Sequence, residues 1–122
     1  MLARQLEEAL DAPLEERKQK IMTAAIRKKL PPLYSQEKEK DPKVWAKFFN
    51  PYGIGTWLAT EFDGKDTFFG AVKLHGDWEL GYFSLRELEG AKAIIGGRRM
   101  QFQGVERDSY FKPMSLSKAK HA

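Results

Sequence analysis

Residues 56–91, TWLATEFDGKDTFFGAVKLHGDWELGYFSLRELEGA, constrain the fold of this chain more than any other stretch. Thr56 to Phe62 is rich in β-branched and aromatic residues, Asp63-Gly64-Lys65-Asp66 is turn chemistry, and Thr67 to Leu74 resumes the apolar pattern. Two such runs around a polar turn predict a β-hairpin. His75-Gly76-Asp77 breaks the second run and Glu79 to Phe83 supplies a third strand, so an antiparallel meander is the simplest wiring. Ser84 and Glu87 form an S-x-x-E capping box, and Leu85 and Leu88 share a helical face. Gly90 suits the left-handed position after the last turn, so the stretch closes on a short helix.

The N-terminal 30 residues read as helix in two parts. Leu2, Leu6 and Leu10 recur every four positions before Asp11-Ala12-Pro13 interrupts them, and Pro13 is well placed in the first turn of a second helix. There Leu14, Ile21, Met22, Ala25 and Ile26 project to one side, with Arg27, Lys28 and Lys29 at the C-terminal end, where cations are favoured. This pattern fits a helix packed on the sheet, or an arm that binds a partner or nucleic acid. Leu30-Pro31-Pro32-Leu33-Tyr34 stops the helix, Ser35 to Lys43 reads as a charged surface loop, and Val44 to Phe49 alternates as a strand, with Trp45 and Phe49 on one face.

The fold predicted is α+β: an antiparallel sheet of four to five strands, at residues 44–49, 56–62, 67–74, 79–83 and 99–103, packed against N-terminal helices. Trp57, Leu58, Phe68, Phe69, Val72, Leu80, Phe83, Leu85 and Leu88 are the expected source of the core. The chain divides into an N-terminal helical extension (1–29), one α+β domain (30–117) and a basic C-terminal tail (118–122).

With 122 residues, 42% hydrophobic, there is material for one core. The absence of cysteine excludes a disulfide framework and thiolate chemistry. No apolar run is long enough to span a bilayer and no signal segment is visible at the N-terminus, so the expectation is a cytoplasmic protein without a membrane partner. The net charge of +4 is unevenly spread: residues 1–50 carry 11 basic and 8 acidic side chains, residues 51–97 carry 4 and 7, and residues 98–122 carry 6 and 2. An acidic sheet thus lies between basic flanks, which suit a phosphate backbone or an acidic protein surface.

In the sequence LPPLYSQEKEKDPKVWAKFFNPYGIGTWLATEFDG, then FFGAVKLHGDWELGYFSLRELEGA, then GVERDSYFKPMSLSK, the segments LPPLYS, TWLATE, ELGYFSL-EL and VERD-YF stand in order. Over residues 30 to 117 the chain resembles the domain of unknown function 2958 family, small bacterial, plasmid and phage proteins. The extension 1–29 and the segment IIGGRRMQFQG depart from that family's usual pattern. Members are carried on mobile elements near genes for DNA handling, and the resemblance implies no particular reaction, cofactor or metal. The atypical segment reads as a hairpin turning at Ile95-Gly96-Gly97-Arg98. Arg99, Gln101 and Gln103 would point one way, with Met100 and Phe102 pointing the other.

Catalytic patterns are sparse. His75, Asp77 and Glu79 alternate as metal ligands on a strand would, but Gly76 between them marks a turn, and no serine sits in a nucleophile elbow. No metal or cofactor is expected. Carboxylates are the remaining route to an enzyme: Glu61, Asp63, Glu79, Glu106 and Asp108 lie in the segments that carry the resemblance. Alternation along the first central strand puts Trp57 and Glu61 on one face, and Trp57, Glu61, Glu79, Tyr82, Arg107 and Asp108 form a candidate central site if the VERD segment returns to the sheet. Arg27, Lys28, Lys29, Arg98 and Arg99 are the candidate nucleic-acid contacts. Two functions follow: an accessory binding module contacting a host or mobile-element protein or nucleic acid, or a small lyase- or hydrolase-like enzyme using clustered carboxylates.

Overall fold

A computed structural model gives the structure of residues 21–122. In chain order its elements are α1 (Ala24–Lys29), β1 (Lys43–Val44), β2 (Ala46–Phe49), β3 (Thr56–Phe62), β4 (Thr67–Lys73), β5 (Glu79–Ser84), α2 (Leu85–Gly90), β6 (Lys92–Ile95), β7 (Arg98–Gln103), β8 (Glu106–Arg107), β9 (Met114–Ser115) and α3 (Leu116–Ala119). The main sheet is antiparallel with strand order β5-β4-β3-β2-β8, and two-stranded ribbons β1-β9 and β6-β7 flank it. Among the described residues the architecture is therefore mostly β, with few and short helices. The predicted first helix, through Leu2, Leu6 and Leu10, and the start of the second at Pro13 lie outside the described residues. Within them the second predicted helix is reduced to α1, which starts only at Ala24 because the Thr23 hydroxyl caps it by accepting the Ile26 N–H at 3.2 Å. Ile21 and Met22 are buried ahead of that cap.

The β3–β4 hairpin forms where the turn chemistry put it. Asp63 Oδ1 accepts the N–H groups of Lys65, Asp66 and Thr67 at 2.8 to 3.0 Å, and Gly64 adopts φ +86°. β5 and α2 follow as expected. The Ser84 hydroxyl accepts the Glu87 N–H at 3.2 Å and donates to Asp66 at 2.7 Å, tying the helix start to the hairpin turn. Gly90 instead ends α2 as its last helical residue, and the cap that follows is Ala91 at φ −67°. The predicted left-handed glycine is not used.

A β-bulge in β3 positions the rest. Trp57 pairs with Phe48 and Val72, and Ala59 with Gly70, but Thr60 is left over and the next pair is Glu61 with Phe69. The Thr60 hydroxyl donates to Phe69 O at 3.0 Å. The extra residue inverts the alternation, so Trp57 and Glu61 fall on opposite faces of the sheet rather than on one. Gly70 makes room beside the bulge, since a Cβ there would lie 1.8 Å from Leu58 O.

Each face carries its own apolar cluster. On one, Ala46, Phe48, Ala59, Phe62 and Phe68 pack with Ile21, Met22, Leu30, Leu85 and Leu88, and Phe68 stacks on Phe62 and Phe83 at centroid distances of 4.4 and 5.1 Å. On the other, Leu58 and Ala71 pack with Val44, Leu116 and Ala119 from the β1-β9 ribbon and α3. The predicted strand 44–49 is split at Trp45. Val44 belongs to the second cluster and Ala46 to the first, because the chain passes there from the ribbon into the main sheet. Leu80, expected in the core, is 64% exposed, since β5 is the sheet edge.

The fifth strand of the sheet is β8, not 99–103. Among the described residues, 98–103 pair only with β6, through a turn in which Gly96 and Gly97 take φ +59° and +78°. Arg99 and Gln101 are exposed, but Gln103 is buried and its Nε2 donates to Val105 O, so the polar outer face ends before it.

Candidate functional site

Of the six residues proposed for a central site, the fold brings together Glu61 and Tyr82. The bulge turns Glu61 onto the face where its cross-strand partner Phe69 lies beside Tyr82, the two rings 5.0 Å apart edge to face. Glu61 is 4% exposed, and both carboxylate oxygens are used: Oε1 accepts the Tyr34 N–H at 2.8 Å and Oε2 the Gln36 N–H at 2.9 Å. Charge-assisted bonds of this kind are the stronger class, and they dock the loop after Pro32 onto the sheet. The Gln36 side chain completes the clamp. Its Nε2 donates to the Thr60 carbonyl at 2.9 Å and to the Lys43 carbonyl at 3.1 Å, while its Oε1 accepts the Lys43 N–H at 2.8 Å.

Held in this way, Tyr34 takes φ +71°, the left-handed region that costs a non-glycine residue about 1 kcal/mol or more. The residue is 61% exposed, and its hydroxyl accepts from Tyr82 Oη at 3.4 Å. That hydrogen bond, with some help from burial, raises the Tyr82 phenol above its ordinary value. Between the loop and the sheet lies a cavity of about 340 Å³ with Phe69, Leu80, Leu116 and Pro42 as apolar walls. The two tyrosines stand beside it, and Glu37, Glu39 and Lys40 are on the exposed loop. Such a mixture of aromatic wall and few fixed polar groups is the usual make-up of a ligand site.

The other four residues stand elsewhere. Glu79, Val72, Trp57, Phe48 and Arg107 form one direct cross-strand row on the face opposite Glu61. Glu79 and Arg107 end that row four strand spacings apart, roughly 19 Å, beyond strong charge coupling. Arg107 Nη1 donates to Ile21 O at 3.0 Å, and the Asp108 carboxylate lies 4.0 Å from Lys47 Nζ and accepts the Tyr110 N–H at 3.0 Å. Both line a separate hollow of about 270 Å³ with Thr23, Trp45 and Phe111. Asp63 is absorbed by its own turn, where the Lys65 and Asp66 N–H groups hold its carboxyl below the ordinary value. Burial raises the Glu106 carboxyl, on the β8 edge away from Tyr82. Glu61 and Glu79 thus lie on opposite faces of the sheet, and neither is placed to share a proton with the other. His75 stands between β4 and β5 in a bend where Gly76 has φ +84°, and no cluster among the described residues is arranged to hold a metal ion.

The five basic candidates are not equivalent. Arg27 Nη1 donates to Gly64 O at 2.6 Å and the guanidinium stacks 5.2 Å from the Phe62 ring centroid, so it braces the hairpin turn. Lys28, Lys29, Arg98 and Arg99 are exposed. Among the described residues no helix is long and apolar enough to cross a membrane.

Sequence reasoning missed Tyr34 and Gln36 as site residues, having placed the loop on the surface without a role. The available signal was LPPLYS, one of the segments on which the resemblance rests.

Neither the curated proteins nor the solved structures contain a match to this chain. A family match spans residues 12–120, reaching further at both ends than the resemblance read from the motifs, and by it the chain belongs to the family described as protein of unknown function (DUF2958).

Proposed function

We propose that this domain is a noncatalytic binding module, an accessory in a phage, plasmid or other mobile-element setting, and that it takes a protein partner in the cleft between the 34–42 loop and β5. One observation carries the reading. A buried carboxylate is committed to holding Tyr34 in a strained backbone conformation while leaving its ring exposed opposite Tyr82. Strain kept beside an open aromatic cavity is characteristic of preorganised ligand sites. An enzyme working through paired carboxylates would need two of them free to exchange protons in one concave site; of those lining this cavity, Glu61 is bonded to two backbone N–H groups, and Glu37 and Glu39 are on the exposed loop.

The test is affinity capture from host lysate, after nuclease treatment, with the wild-type chain and with a Tyr34→Ala/Tyr82→Ala variant of unchanged melting temperature. A partner retained by the first and lost by the second supports the reading. A partner retained equally by both moves the contact away from the cleft.

A second reading has its own support. Arg98 and Arg99 are exposed on a ribbon that joins no larger sheet, a shape suited to phosphate contacts. On this reading nucleic acid binds weakly and with a steep salt dependence. Charge reversal at Arg98 and Arg99 abolishes that binding in an anisotropy titration at about 50 mM salt, whereas Arg27, braced inward, matters through stability instead.

A further inference from the structure

The cleft opens beside the outer edge of β5. This strand ends the main sheet, and among the described residues nothing pairs with its far side. Sheet edges are ordinarily protected by lysine, proline, bulges or a covering element. β5 reads ELGYFS, has no proline, lysine or arginine, and keeps regular register with β4 over all six residues. Leu80 and Tyr82 are exposed, and at Gly81 between them an added Cβ would meet nothing within 4 Å. The edge is long enough and open enough to accept another strand.

The cavity beside it has a charge preference. Among the described residues, Glu37, Glu39 and Glu61 line it against one cation, Lys40. Asp77 and Glu79 stand at the start of the strand, and Glu87 and Glu89, with Arg86, follow its end. Tyr34, Phe69 and Tyr82 offer aromatic rings, whose faces attract cations. A side chain from a strand paired with β5 would lie next to Leu80 and Tyr82 on the cavity side, within cross-strand reach.

We infer that the cleft takes an extended segment of a partner protein, added as a further strand on the edge of β5, with a lysine or arginine side chain seated in the cavity against the Tyr34 and Tyr82 rings. This rests on the binding-module reading and adds the class of ligand. Backbone pairing supplies affinity, and the aromatic, acid-rimmed cavity supplies selection for a cation.

The experiment is selection of a randomised nine-residue peptide library on the full chain, with the Tyr34→Ala/Tyr82→Ala chain as counter-selection. Anisotropy of enriched peptides, synthesised and labelled, follows. Enriched sequences are expected to share one basic residue flanked by β-branched residues at alternate positions. Replacing that residue by glutamate, N-methylating alternate peptide nitrogens, or making Glu37→Gln/Glu39→Gln on the exposed rim should each weaken binding about tenfold or more. Enriched peptides without a basic residue, insensitivity to N-methylation, or an oligonucleotide that competes for the cleft would each overturn the inference. If lysate capture still depends on Tyr34 and Tyr82 while the library yields no basic consensus, the ligand class is wrong and the binding-module reading stands. If capture is also indifferent to the tyrosines, both fall.

Discussion

Glu61 and Tyr34 are 27 positions apart in the chain, yet Glu61 Oε1 accepts the Tyr34 N–H at 2.8 Å, and this bond joins the loop to the sheet. Removing the acceptor leaves the N–H groups of residues 34 and 36 without it, at about 1 to 3 kcal/mol for each buried donor. Glu61→Ala should therefore destabilise the domain by about 3 kcal/mol in a urea titration, and speed amide exchange at Tyr34 and Gln36 before elsewhere. A loop whose exchange is unchanged would show that it is held by other means.

Neighbouring glycines on adjacent strands give a sharper contrast. Gly70 pairs with Gly81, but a Cβ on the first would strike the Leu58 carbonyl at 1.8 Å, while one on the second meets open space. Gly70→Ala should cost at least about 3 kcal/mol, and Gly81→Ala should stay within about 0.5 kcal/mol. Equal effects in thermal melts would mean that the bulge does not bring β3 so close to β4.

The hydroxyl contact between the two tyrosines is open to titration. Tyr82 ionises above the ordinary tyrosine value first because of its hydrogen bond to Tyr34. In the Tyr34→Phe variant the Tyr82 resonance, followed by NMR of labelled ring carbons, should titrate at lower pH. Tyr52 is also raised, by burial and then by Glu106, and should not move with that substitution.

Acid should loosen the start of the meander. The carboxyls of Asp63 and Asp66 are both held below 3.8, the first chiefly by the Lys65 N–H, the second chiefly by the Ser84 hydroxyl. A folded-state value below the unfolded one stabilises above the unfolded value, and the stabilisation is lost as pH falls through the folded value. Stability should therefore decline as pH drops below 3.8, and Asp63→Asn with Asp66→Asn should flatten that decline relative to wild type. A decline of unchanged steepness would assign it to other carboxylates.

The hairpin, the third strand and the helix capped by Ser84 were legible because each is specified within a few residues: an Asx turn, a bend at Gly76, and a hydroxyl three positions from the N–H it accepts. What escaped were consequences of long-range pairing. Thr60 looks like any β-branched residue in a strand, and only its neighbour Gly70, too tight for a side chain, marks it as the bulge. The face of Glu61 changed with it, and so did the membership of the site. Likewise Glu106 and Arg107 join β2 across more than 50 positions, a partnership that no local pattern announces. Leu80 alternates as a core residue does, but its strand is the last in the sheet.

The unmatched residue in β3 also governs how this stretch tolerates changes of length. If Thr60 were drawn into regular pairing opposite Phe69, Glu61 would turn toward the stacked phenylalanines and Phe62 away from them, burying an unpaired carboxylate at a cost of several kcal/mol. A further residue inserted and paired there carries the same fault, whereas deleting Thr60 would restore a regular ladder with Glu61 still opposite Phe69. Added length therefore belongs outside the strand, in places such as the turn at Gly96 and Gly97, where the ribbon can grow without changing which side of the sheet anything faces.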